Sequence, residues 1–316
     1  MMICMEGITN MTNKVVLWSV IIACVLGPED GHTRPDNVPT DTNIIEVESD
    51  VYPPIPALWV NHLTKYGISG KTYIGTIEGN GDNDKMHFHK KRHTIIFIPS
   101  YYDGSQDPDV IIWLHGHNGF NKFGIRILRH IEKLHSSGKN PLVIAIEQPW
   151  SHWTKTRTRR NGTGPFTNVE KFTQWMDATF KVLEGNFNIQ KSRVKSSNIT
   201  LYGHSAGGSG IMALAKAGIL HILQPGTIVF SDSTYGRWFD VTYDQYLNNP
   251  LPGSDYSTRT IVLTQNHGKP WSSMRRFFKE RKSQGVTQFP NITWVPTALS
   301  HKQIGDNCLI YPNSPF

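Results

Sequence analysis

Two rhythms of apolar residues run along this chain. In the first, Val110-Ile111-Ile112-Trp113-Leu114 and Leu142-Val143-Ile144-Ala145-Ile146 are almost unbroken apolar runs, the pattern of strands covered on both faces. The runs Lys71 to Ile77 and Thr94 to Ile98 predict two earlier strands, with turns over 79–84 and 101–109. Ile199 to Tyr202, Thr227 to Phe230, Ile261 to Leu263 and Ile292 to Val295 predict four later ones. The second rhythm is helical. Ile127, Leu128, Ile131 and Leu134 recur at that spacing up to Gly138, as do Val169, Phe172, Met176, Phe180 and Leu183. Ile211, Leu214, Ala215 and Ile222 predict one further helix, and Trp271 to Gln284 another. Thr167 and Glu170 stand as a capping box before the second of these four helices. Strands alternating with helices predict a single α/β domain, a mostly parallel central sheet flanked by helices. The longest insertion that could form a lid, residues 236–258, is short, so no large lid domain is expected.

The first fifty residues follow neither rhythm. Val15 to Gly27 carries no charge, follows Lys14 and precedes a polar stretch from Pro28 to Thr42. It is too short to cross a bilayer and fits the apolar core of an export signal, so residues 1–27 are expected to direct secretion. Ile21-Ile22-Ala23-Cys24 also fits a bacterial lipobox, in which Cys24 would carry a lipid anchor; ordinary cleavage near Gly27 is the alternative. A buried strand or short helix is the non-targeting reading. Residues 28–50, rich in Pro, Asp, Asn and Thr, read as a flexible leader to a domain over 51–316. Loss of the signal removes two of the three cysteines and leaves Cys308 alone, which excludes an internal disulfide. It also removes Lys14 and Glu6 together, so the net charge stays at +7. With 18% charged residues and no long basic tract, that charge predicts a basic surface that weakly steers acidic partners. Asn161, Asn198 and Asn291 open glycosylation acceptor patterns for a eukaryotic host, the last two at the starts of parallel strands.

Chemistry enters at Gly203-His204-Ser205-Ala206-Gly207, a G-x-S-x-G motif between a predicted strand and a predicted helix. A serine hydroxyl becomes a useful nucleophile when a sharp turn presents it beside a base and near oxyanion-binding N–H groups. Working residues of such sheets collect beyond the carboxyl ends of the strands. There the chain offers His115-Gly116-His117-Asn118-Gly119, Asp232 and His301. The order Ser205, Asp232, His301 is that of a nucleophile, an acid and a base on this kind of sheet. The backbone N–H groups of His117 and Ala206 are the candidate oxyanion hole. His204, expected to point away from Ser205, and His267 compete as bases; Asp255 and Asp306 are reserve acids.

These motifs resemble the α/β-hydrolase superfamily over about residues 70 to 305. The strand pair around Pro99 and the later His-Gly turn are similar to those of secreted esterases and polyester depolymerases. The resemblance implies a serine carboxylesterase working through an acyl-enzyme without a cofactor. A peptidase or amidase on the same residues, or a noncatalytic binding protein on the same scaffold, are the other readings. One departure stands out. The family most often carries its acid after the strand before the last, where this chain reads Gln265-Asn266-His267-Gly268; Asp232 matches the variant with the acid one strand earlier.

His87, His89 and His93 have a spacing that can turn imidazoles to one face, but the neighbouring Lys90, Lys91 and Arg92 disfavour a metal ion, and none is expected. Trp150 and Trp153, among the cations of the loop after the fourth strand, and Tyr235 and Trp238, beyond Asp232, are candidate pocket walls. The cation and aromatic mixture of 148–165 is not accompanied by a nucleic-acid motif, so the expected partner is a small-molecule or polymeric ester rather than a polynucleotide.

Overall fold

The computed structural model describes residues 44–46, 63, 68–76, 93–116, 131, 134–148, 168–249 and 258–307. The chain divides into two compact units, Met1–Asn37 and Val38–Phe316, and the described residues all fall in the second. Nine strands form one sheet among them: β1 (Ile44–Glu46), β2 (Gly70–Thr76), β3 (His93–Pro99), β4 (Asp109–Leu114), β5 (Pro141–Ile146), β6 (Ile199–His204), β7 (Thr227–Ser231), β8 (Arg259–Gln265) and β9 (Ile292–Thr297). Their order across the sheet is β1-β2-β3-β5-β4-β6-β7-β8-β9. Pairing is antiparallel for β2 with β3 and β3 with β5, and parallel elsewhere. One strand, β3, therefore runs against all the others.

β1 corrects the expected leader over 28–50. Ile44, Ile45 and Glu46 pair in parallel with Thr72, Tyr73 and Ile74, so the sheet begins before residue 51. Three residues are too few to show a periodicity. The open edge of β2, with unpaired N–H and C=O groups, is what recruits them.

Successive side chains of the central strands face opposite sides, and both sides are sealed. Val110, Ile112 and Leu114 join one cluster with Phe172, Trp175, Ile211 and Phe277. Ile111 and Trp113 join the other with Tyr202, Val229, Leu263 and Ile304. β5 and β6 are buried at every position, which is why their sequence shows apolar runs without alternation. The indole of the fully buried Trp175 donates to Thr94 Oγ1 at 3.2 Å, which satisfies its one polar atom.

Six helices connect the strands among the described residues: α1 (Val169–Phe187), α2 (Gly207–Lys216), α3 (Ile219–Leu223), α4 (Trp238–Thr242), α5 (Lys269–Ser283) and α6 (His301–Asn307). Ile131 and residues 134–136 are helical as well. The cap of α1 is Asn168, whose side chain accepts the Lys171 N–H at 3.0 Å; this replaces the expected Thr167–Glu170 box, and Thr167 lies outside the described residues. The single helix expected through Ile222 is two, because Gly218 takes a left-handed φ of 72° between α2 and α3. Ile222 is accordingly exposed. The insertion after β7 holds α4 and a wide turn over Tyr243–Leu247, neither of them apparent as a pattern in the sequence. Asn198 and Asn291 stand immediately before β6 and β9, at the end of the sheet remote from the loops after those strands.

Candidate active site

Ser205 follows the last residue of β6 and adopts φ 54°, in the left-handed region that a non-glycine residue enters at a cost of about 1–3 kcal/mol. Hydrogen bonds hold it there. Its N–H donates to the Ser231 carbonyl at 3.1 Å, and its own carbonyl accepts the Gly208 N–H at 3.2 Å, which starts α2. Close approach does the rest. A Cβ on Gly207 would lie 2.2 Å from the Leu114 carbonyl oxygen, and one on Gly208 would lie 2.0 Å from that of Ser233. The turn is thus wedged between the end of β4 and the loop after β7. Among the described residues, five non-glycine residues have positive φ: Asn188 and Gln224 cap helices, whereas Ser205, Asp232 and His267 sit just beyond β6, β7 and β8. Backbone strain outside helix caps is concentrated at the carboxyl edge of the sheet.

Asp232 is the first residue after β7 and is buried, its side chain only 2% exposed. Its N–H donates to the Leu263 carbonyl at 2.7 Å, and its Oδ1 accepts the Gln265 N–H at 2.9 Å. Its Oδ2 lies 2.5 Å from Nδ1 of His301, the first residue of α6. Both carboxylate oxygens are therefore engaged, and the His301 Nδ1 is committed to the acid. That leaves Nε2 as the ring atom available for proton transfer. Ser300 and Gln303 cap α6 as a box: Gln303 Oε1 accepts the Ser300 N–H at 2.9 Å, and Ser300 Oγ accepts the Gln303 N–H at 3.4 Å.

His204 does not point away from the site, as expected from its place beside Ser205. Its buried ring lies 4.6 Å from the His301 ring, and its Nε2 donates to the His301 carbonyl at 3.1 Å. A Cβ on Gly305 would lie 2.6 Å from that Nε2, so α6 can seat on the imidazole only with glycine there. His204 braces the helix that carries His301. His267 packs its ring 5.3 Å from Trp271, whose other neighbour is the Arg275 guanidinium at 4.7 Å.

No hydrogen bond joins Ser205 to His301 among the described residues. Tyr235 lies beside both. The Tyr235 ring meets His301 edge-on at 6.4 Å and Trp238 at 5.5 Å. Burial raises the phenol pKa above its ordinary value and the Asp232 carboxylate adds to this, while the contact with Ser205 acts the other way. Tyr235 thus borders the imidazole, and Trp238 packs behind it against the Tyr235 ring. Trp150 and Trp153 lie outside the described residues.

On the opposite side of Ser205, a Cβ on Gly116 would lie 2.9 Å from the Ser205 Cβ, so the loop after β4 abuts the nucleophile turn. Ala206, half-buried, opens α2 with one of the N–H groups that have no acceptor in a helix's first turn. His117, the other expected oxyanion donor, lies outside the described residues, as do Asp255, His87 and His89. The buried His115 ring accepts the Gln148 N–H at Nε2, 2.7 Å away, and so carries its proton on Nδ1, which donates to the Gly116 carbonyl at 2.6 Å. Gln148 Nε2 returns a hydrogen bond to the His115 carbonyl at 2.6 Å. His115 is therefore a tie between two loops rather than a base. Sequence reasoning missed this tie and the Ser300–Gln303 box. The signals were there: Leu114 pairs with Ile146, which sets the residues just after β4 and β5 side by side, and S-x-x-Q is a capping pattern.

No family model and no curated protein matches this sequence. Solved structures similar to it include the BES protein from Bacillus cereus, 15% identical over 75% of this chain and 93% of that one, with a TM-score of 0.46. An esterase of Pyrobaculum calidifontis is 13% identical over 81% and 86%, with a TM-score of 0.43. The enterobactin and salmochelin hydrolase IroE is 13% identical over 74% and 90%, also at 0.43. The architecture is a mostly parallel sheet flanked by helices, with β3 reversed and a strained serine turn after β6. The proteins this chain is similar to include α/β hydrolases. On this sheet the carboxylate that meets His301 comes from the loop after β7, next to the strand that carries Ser205.

Proposed function

We propose that this chain is an exported serine hydrolase that cleaves carboxylic esters through an acyl-enzyme. Ser205 is the nucleophile, His301 the general base and acid, and Asp232 the carboxylate that orients it. The observation that carries this reading is the Asp232–His301 pair at 2.5 Å, set on the same sheet edge as a serine held in left-handed backbone. His301 Nε2 takes the Ser205 proton as Oγ bonds to the ester carbonyl carbon, and the carbonyl electron pair moves onto oxygen. The Ala206 and His117 N–H groups receive that oxyanion, each worth about 3 kcal/mol in the transition state. Collapse of the intermediate expels the alcohol, which takes the proton from His301. Water then repeats the sequence on the acyl group. Asp232 holds the proton on Nδ1 and offsets the charge of the imidazolium. No step calls for a cofactor. Esters are favoured over amides by their better leaving group, and the aromatic residues Trp150, Trp153, Tyr235 and Trp238 suit small-molecule or polymeric esters with an apolar part. Residues 1–27 direct export, ending in cleavage near Gly27 or in lipid attachment at Cys24.

The test is hydrolysis of p-nitrophenyl acetate by the purified protein and its Ser205→Ala variant. Turnover should fall by about a thousandfold or more, with the fold retained. A fluorophosphonate probe should label Ser205 in the wild type alone; full activity of the variant rejects the reading.

A further inference from the structure

Between Asp255 and Asp306 the chain carries eight lysines and arginines and a single carboxylate, Glu280. Helix α5 holds six of those cations and sorts them by face. Its inner side is made of the buried residues Pro270, Ser273, Met274 and Phe277. Beside them Arg276 pairs with Asp240 at 2.9 Å, Arg281 with Asp244 at 2.6 Å, and Glu280 with Arg237 at 3.2 Å. The neighbouring acids are thereby engaged. On the outer side Arg275, Lys279 and Lys282 are exposed and recur at helical spacing, and no carboxylate pairs with any of them among the described residues. Arg275 is also held in place, its guanidinium 4.7 Å from the centre of the Trp271 ring, which His267 approaches at 5.3 Å. A cation ordered in advance loses less freedom when it binds. The row begins near the chemistry. α5 follows β8, and Thr234, in the loop of Asp232, donates its Oγ1 hydrogen to the Pro270 carbonyl at 3.0 Å. From Arg275 to Lys282 the row advances about 10 Å along the helix.

We infer that the outer face of α5 binds a linear polymer of carboxylate-bearing units, the chain whose ester groups the site hydrolyses. The choice of carboxylates rests on the serine-hydrolase reading above; the row of unpaired cations does not. A row one side chain wide suits a chain. A lipid surface would call for apolar side chains among the cations, and the exposed residue beside Arg275 on this face is Ser272. A nucleic acid would call for free ring faces on which bases stack, and the ring of this row, Trp271, is already engaged by Arg275 and His267. Carboxylates follow from the reaction. When water cleaves an ester on such a polymer, the acyl C–O bond is exchanged for a bond to the water oxygen, and the products are an alcohol, a proton and one new carboxylate on the chain. Each turnover thus adds one negative charge for Arg275, Lys279 and Lys282 to hold.

The test is binding of fluorescein-labelled polygalacturonate to the purified protein, read by fluorescence anisotropy. Wild type should bind at low ionic strength, with a Kd that rises about tenfold or more as salt screens the cations. Neutralising the row with Arg275→Gln, Lys279→Gln and Lys282→Gln together should weaken binding at low salt by about tenfold or more. The matched control removes the same charge from exposed positions elsewhere, as Lys71→Gln, Lys181→Gln and Lys216→Gln, and should weaken binding by no more than about threefold. Equal losses in the two variants assign the binding to net charge and overturn the row. A wild type that binds no polygalacturonate overturns it too, as does one that binds a single-stranded oligonucleotide or phosphatidylglycerol vesicles as tightly. The row variant should keep wild-type turnover of p-nitrophenyl acetate; a parallel loss there overturns a role confined to the surface. Binding needs no turnover, so Ser205→Ala should hold polygalacturonate as wild type does. A wild type inert to p-nitrophenyl acetate defeats the parent reading itself, an outcome separate from any difference in polymer binding.

Discussion

Around Ser205 the neighbours are backbone atoms and glycines, with Leu114, Gly116 and Ser233 in near contact and no room for a methyl group at Gly207 or Gly208. Around His301 the setting is looser. Its side chain is 38% exposed, it follows a strand whose residues are only partly buried or exposed, and it is held by hydrogen bonds to Asp232 and from His204. The nucleophile is placed by hard contact, which fails abruptly, whereas the base is placed by polar bonds, which fail by degrees. A site built this way fixes the atom that forms the covalent bond and allows the proton carrier a small excursion between Ser205 and a leaving group. It also accounts for the absence of a Ser205–His301 hydrogen bond among the described residues, since such contacts commonly tighten only with substrate bound.

The two sides should break differently. The largest effect on catalysis is expected from Asp232→Asn, which leaves shape and the Gln265 contact in place but favours the wrong His301 tautomer. Its kcat/KM should fall by about ten-thousandfold, with little change in thermal midpoint. Gly208→Ala strikes the packed side, where the new methyl group meets the Ser233 carbonyl. Urea unfolding should show a loss of about 1–3 kcal/mol, and activity should fall with it because the Asp232 loop is displaced. The smallest effect belongs to Ser300→Ala, which removes the cap next to His301. It should cost about 1 kcal/mol in stability and lower kcat severalfold, leaving the fluorophosphonate-labelled residue unchanged. Equal losses of stability in D232N and G208A would erase the contrast between the two sides.

Much of the frame was legible because burial on both faces writes itself as apolar runs: β4, β5 and β6 fall where Val110–Leu114, Leu142–Ile146 and Ile199–Tyr202 predict them. Asp232 and His301, 69 residues apart, were legible from their places after strands, and the structure joins them directly. What escaped depends on contacts without a period. β1 is chosen by a free sheet edge, and Ile222 keeps helical spacing across a glycine break that turns it outward. Asn168 is the cap because its side chain reaches the Lys171 N–H. The His115–Gln148 tie and the approach of Tyr235 to Ser205 involve side chains 33 and 30 positions apart, in loops whose conformation no local pattern dictates.

The imidazole of His204 has the office of a shim. One turn of α6 rests on it at two points, the His301 carbonyl and Gly305, so the gap between the serine-bearing strand and the base-bearing helix is set by the thickness of a single flat ring. Any residue in its place with a rounder or thinner profile would reset that gap, and with it the reach of a proton, without touching either partner in the transfer.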